Sequence, residues 1–160
     1  MRTLLIYAAQ FECAVHAYVL MGNHVHLLLT SSAASGTAGL MLAVCTRHAK
    51  FVNDGYLDSS GESMRPNALW ETGFEASPVQ ARPHVLACMR YIELNPVRAG
   101  LVNRPDAYRW SSYQSNALGC TDDLVTPHPL YFALGRSPDE RQAAYRRRFE
   151  RKRKEAAYRR

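Results

Sequence analysis

An α/β fold of the α+β kind, built on an antiparallel sheet, is what this sequence predicts, and three observations predict it. Two strand-like runs, Cys13 to Leu20 and His24 to Thr30, are separated only by Met21-Gly22-Asn23, so they must pair antiparallel. Apolar residues recur at helical spacing in several stretches between turn signals. The chain has 160 residues, enough to bury a real core but too few for a (β/α)8 barrel, which needs about 250.

The elements follow in order. Residues 2–11 are apolar and rich in Leu and Ala, as the end of a helix would be. The run 13–20, CAVHAYVL, has the Val and aromatic content of a strand, and HVHLLLT at 24–30 is its hairpin partner. The small residues Ser31 to Gly36 form a loop. A helix is expected over 37–52, with Leu40, Val44, His48 and Phe51 on one face and Asn53-Asp54-Gly55 stopping it. A polar loop at 56–68 and a short strand around Ala68 to Glu75 come next. Pro83 opens a second helix that Pro96 ends, with Val85, Cys88 or Met89, and Ile92 as its apolar stripe. After a looser region holding Tyr108, Trp110 and Tyr113, Ser137-Pro138-Asp139-Glu140 reads as an N-cap, a first-turn proline and a capping-box acid.

The net charge of +6 is unevenly spread. Residues 141–160 carry ten Lys+Arg against two Glu, whereas residues 1–140 are nearly balanced. The expected organisation is therefore a domain over 1–135 and a basic helix or tail over 136–160. Such a tail either neutralises nucleic-acid phosphates or is simply a solvated helix end. No apolar run approaches the ~20 residues that cross a bilayer, so no membrane partner is expected. Cys13, Cys45, Cys88 and Cys120 stand apart with no CxxC. Free thiols in a reducing compartment, and hence a cytoplasmic protein, are expected. Cys45 with His48 and His84 with Cys88 have ligand-like spacing, but neither pair completes a four-ligand zinc pattern.

Two stretches carry candidate chemistry. In His24-Val25-His26, strand alternation puts both imidazoles on one face. They are either a metal pair or a polar surface pair. Leu28 stands where a histidine-triad hydrolase needs a third histidine, and a zinc deaminase would need a Cys-x-x-Cys. In PHVLACMRYIELNPVRAG, His84, Cys88, Tyr91 and Asn95 share one helix face. Tyr91 is there as a nucleophile or as a boundary tyrosine with a wet hydroxyl. Taken together, two imidazoles and the Asn95 amide oxygen suit Mg2+ or Mn2+ completed by water and a phosphate. A cation polarising a phosphodiester lets a tyrosine attack without a strong base, leaving a covalent phosphotyrosine.

The chain resembles the REP-associated tyrosine transposases, single-tyrosine relatives of the insertion-sequence 200-like transposases in the HUH class. The matching stretches are HAYVLMGNHVHLLLT, the LWE of ALWETGF, CMRYIELNPVRAGLV, AYRWSSYQSNALG and TPHPLYFALG, spread over residues 10–150. The resemblance implies a ferredoxin-like antiparallel sheet with helices on one face, lacking the usual first strand. It implies His24, His26 and Asn95 as metal ligands and Tyr91 as nucleophile. The implied reaction cleaves single-stranded DNA beside a palindromic hairpin, by a monomer or a homodimer. Arg90 and Arg98 flank the tyrosine as candidate phosphate contacts, Arg98 equally as a surface cap on the turn. Arg146, Arg147 and Arg148 would track the DNA backbone. Trp110 and Tyr113 either stack bases or, as their type favours, pack the core.

The sequence departs from the family pattern in three places. The strand that usually precedes the first helix is missing. Trp70-Glu71-Thr72-Gly73 lacks a usual arginine, and Gly22 replaces a usual proline in the hairpin turn. A DNA-binding remnant without catalysis is thus the alternative to an active enzyme.

Overall fold

The computed structural model describes residues 1–55, 69–70, 73–79 and 81–157, with side chains as far as residue 150. The elements run α1 (Arg2–Gln10), β1 (Cys13–Leu20), β2 (Val25–Ser31), α2 (Gly36–Asp54), α3 (Arg82–Glu93), α4 (Asn95–Arg98), α5 (Tyr113–Leu118), α6 (Pro129–Phe132) and α7 (Pro138–Ala157). The fold is α+β with an antiparallel sheet, as expected. Among the described residues that sheet has two strands, β1 and β2. The other edge of β1 is met by isolated bridges, Val15 with Val125 and Val19 with Ser111. No helix among the described residues is long and apolar enough to cross a membrane.

The chain divides into two compact units. The first comprises Met1–Cys13 and Ser31–Pro78. Here α1 packs on the start of α2, and two glycines permit the approach. A Cβ on Gly39 would meet the Phe11 ring at 2.5 Å, and one on Gly36 would meet Phe11 O at 2.7 Å. The expected apolar stripe of α2 is buried only at Leu40; Phe51 is 73% exposed. The reason is length. α2 has 19 residues and α1 has nine, and at about 1.5 Å per residue the longer helix outruns its partner.

The polar loop expected at 56–68 lies outside the described residues. Of the strand expected around 68–75, the described residues form no part. Residues 69–70 are a bend and 73–75 are irregular, while Ala68, Glu71 and Thr72 fall outside the described residues. Instead of joining a ladder, the Trp70 indole N–H donates to Cys45 O of α2 at 3.0 Å.

The second unit comprises Ala14–Thr30 and Val79–Arg160. Its core gathers Ala17 and Val19 of β1, Val85, Leu86, Met89 and Ile92 of α3, Tyr113 and Ala117 of α5, Tyr131 of α6 and Tyr145 of α7. Leu28 of β2 packs against this core. The α3 stripe is the expected one with Leu86 added. The start of α7 is also as expected: Glu140 N–H donates to Ser137 Oγ at 3.2 Å, and Ser137 N–H donates back to Glu140 Oε2 at 3.3 Å. Buried His16 ties β1 to its surroundings, since Thr126 O, 2.7 Å from Nδ1, can only accept. Nε2 then receives the Thr30 hydroxyl at 3.0 Å.

Candidate active site

The site lies wholly in the second unit and starts from strand alternation. His24, His26 and Leu28 share parity. Because Leu28 packs on the core, the histidine face is the one turned to the helices. The His24 and His26 rings stand edge to face with centroids 5.0 Å apart. The His26 ring meets Tyr91 of α3 at 6.0 Å. One residue from the strand and one from the helix, far apart in sequence, are thus brought together.

The ring states follow from the surroundings. Asn23 Oδ1 lies 2.7 Å from His24 Nδ1. An amide oxygen can only accept, so Nδ1 carries the proton and the neutral ring keeps its lone pair on Nε2. Burial, and then the neighbouring His24, push the His26 pKa down. His26 is therefore a neutral donor at neutral pH. The sequence marks Asn23 only as a turn residue, although its place just before His24 is the signal for this role.

Asn95 is oriented by the proline after it. Pro96 has no N–H to offer Ile92 O, so a helical carbonyl is left over. The Asn95 side-chain amide replaces that donor, reaching Ile92 O at 3.3 Å and Tyr91 O at 3.0 Å. Its Nδ2 is therefore committed to the helix, and Oδ1 has no partner among the described residues. The same break lets the chain continue as α4, whereas the sequence predicted a stop at Pro96. Arg98 at the end of α4 places its guanidinium carbon 4.8 Å from the Tyr91 ring centroid. Tyr91 itself is 47% exposed.

These donor types would suit a hard divalent cation coordinated partly by water. Two imidazoles and an amide oxygen are neutral, so an anionic phosphate would complete the charge balance. No three His, Cys, Asp or Glu side chains among the described residues form a competing cluster. The Cys45–His48 and His84–Cys88 pairs are accordingly not parts of such a cluster.

The remaining basic residues divide by partner. Arg90 Nη1 donates to Arg148 O of α7 at 2.8 Å. Arg146 Nη1 donates to Ala117 O of α5. These two guanidinium groups hold the last helix. Arg147 is exposed and Arg148 half-buried. Tyr113 is core, its ring 4.9 Å from that of Phe149. Trp110 is not core but 42% exposed.

Sequence reasoning missed Glu93, two residues after Tyr91 and fully buried. Its Oε1 accepts from Ser112 Oγ at 2.7 Å and Asn116 Nδ2 at 2.8 Å, and its Oε2 from the Tyr145 hydroxyl at 2.8 Å. Burial raises its pKa to about 7, against the three hydrogen bonds, which favour the carboxylate. The signal was present: Leu86, Met89 and Glu93 fall on one helical stripe, so an acid occupies a core position. Tyr145 is pushed well above the usual tyrosine range by burial and by Glu93.

Comparison with known families matches residues 2–95, more than half the chain, to the family described as transposase IS200 like. The searches of curated proteins and of solved structures returned no match. The matched span contains His24, His26, Tyr91 and Asn95.

Proposed function

The chain belongs to the IS200-like transposase family, and on that premise we propose that it is a single-strand DNA endonuclease and strand transferase with Tyr91 as nucleophile. What supports this most is the approach of the His26 ring to the Tyr91 ring, at 6.0 Å. The motif stretches beyond residue 95 support a place in the REP-associated branch, with hairpin-forming single strands as substrate.

Tyr91 Oη attacks the scissile phosphorus, and the P–O3′ bond breaks as the P–O bond to tyrosine forms. The phenol gives up its proton and the departing 3′ oxygen takes one up. The 5′ phosphate stays on Tyr91. Attack by another 3′ hydroxyl reverses the step and joins strands. The bond energy is kept in the phosphotyrosine link, so no nucleotide cofactor is consumed. His24, His26 and Asn95 would hold Mg2+ or Mn2+, which when bound supplies positive charge to the scissile phosphate. Asn23 fixes which His24 nitrogen is free. Arg98, beside the phenol ring, provides a cation for the phosphate that Tyr91 attacks.

The test is formation of a denaturation-resistant adduct with labelled single-stranded oligonucleotides carrying palindromes, in Mn2+. Loss of the adduct on adding chelator and in Tyr91→Phe is expected. An adduct that persists in Tyr91→Phe would overturn the assignment. A folded protein that binds single strands but forms no adduct with any divalent metal would be a DNA-binding remnant.

A further inference from the structure

We infer that Arg109 and Trp110 form a stacking platform for one unpaired base of single-stranded DNA, a subsite separate from the Tyr91 cluster. The inference deepens the function proposed above and rests on it for the identity of the nucleic acid.

The first observation is an indole displayed on a fixed mount. Trp110 is 42% exposed, whereas Ser111, Ser112 and Tyr113 after it are buried. Leu20 N–H at the end of β1 donates to Trp110 O at 2.9 Å. The Tyr108 hydroxyl donates to Leu20 O at 2.7 Å. Ser111 bridges Val19. Backbone held on both sides leaves little local freedom to lose when a ligand settles on the ring, which lowers the cost of binding.

The second observation is the partner on the ring. The Arg109 guanidinium carbon lies 4.3 Å from the Trp110 ring centroid. A cation already over the indole disfavours a cationic ligand, so this is no cage for ammonium groups. A ligand with a flat uncharged face and an anionic group beside it answers both residues. A nucleotide has both: the base for the ring and the phosphate for the guanidinium. Paired bases hide their faces in the stack, so the base must be unpaired.

The third observation is location. Trp110 is tied to Leu20, and the turn after Leu20 closes with Met21 N–H donating to His24 O at 2.9 Å. The platform and the first histidine are thus mounted at the same end of β1. A single strand engaged by Tyr91 would have a neighbouring base held by Trp110.

The chain has two tryptophans, so Trp70→Phe leaves Trp110 as the only indole. Titrating that variant with oligothymidylate should quench Trp110 fluorescence saturably, and duplex DNA of equal length should quench little. In the parent background, where Trp70 stays, Trp110→Ala should weaken oligothymidylate binding about fivefold or more by anisotropy, with Trp110→Phe largely restoring it. Binding without quenching, equal affinity in Trp110→Ala, or no binding at all would each overturn the platform. Adduct formation is scored separately. Quenching without adduct would sink the nuclease reading and leave the subsite; adduct with unaltered binding in Trp110→Ala would do the reverse.

Discussion

The Tyr145 hydroxyl donates to Glu93 Oε2 at 2.8 Å, and neither side chain is exposed at all. The basic C-terminal helix is therefore fastened through its first half to the helix that carries Tyr91. Removing either partner strands a buried polar group. Tyr145→Phe should cost about 1–3 kcal/mol, the usual penalty for a buried acceptor that loses its donor. Glu93→Ala should cost more, because Ser112, Asn116 and Tyr145 all lose an acceptor and a cavity opens. Urea unfolding would measure both. A Glu93→Ala protein as stable as the parent would show that the network carries no stability.

The same carboxyl gives the fold a pH dependence of predictable sign. Its folded pKa, about 7, lies above the ordinary value of 4.5. Between those values the unfolded chain has released the proton and the folded chain still holds it. Stability from this group is thus complete below about pH 4.5, falls as pH rises to about 7, and is flat beyond. The loss amounts to about 3 kcal/mol at about 1.4 kcal/mol per unit. Glu93→Gln has no such titration, so the stability of the parent relative to Glu93→Gln should decline across that window. Unfolding at several pH values would show it, and a constant difference would refute it.

Arg98 over the Tyr91 ring sets a cation beside the proposed nucleophile. Arg98→Ala should slow adduct formation by between about twofold and thirtyfold, the span of a cation–π contact from exposed to desolvated settings. Arg98→Lys should recover part of the rate, since charge returns without the planar fork. Binding of the oligonucleotide, followed separately, should change less than the rate. An unchanged rate in Arg98→Ala would reduce Arg98 to a cap on the turn.

Much of the site is legible in the sequence because its determinants are local. Alternation pairs His24 with His26, and helical spacing pairs Tyr91 with Asn95. What local pattern does not carry is partners distant in sequence. Glu93 is recognised by residues 112, 116 and 145, and its acidity suggests a surface position until they are known. The 42% exposure of Trp110 runs against its residue type, which favours the core, and its backbone partner, Leu20, is distant in sequence. α5 and α6 have six and four residues, too short for a periodicity to show. The α2 stripe misleads for the opposite reason: periodicity reports which face is apolar, not whether a partner is long enough to cover it.

Asn23 is the residue where local pattern and tertiary role separate most cleanly. The side chain touches His24 Nδ1 at 2.7 Å and the residue is exposed, so replacing it should leave the fold intact. Without the amide, His24 is free to turn or to carry its proton on Nε2, the nitrogen that would hold the proposed cation. Outer-shell partners of this kind are worth about 10- to 100-fold in metal affinity. Asn23→Ala should therefore weaken Mn2+ binding to that extent, while unfolding midpoints without metal stay where they were. Asn23→Asp keeps an acceptor for Nδ1–H and should restore binding. If Asn23→Ala binds Mn2+ as the parent does, the contact to His24 is a surface hydrogen bond and His24 needs no help to present Nε2.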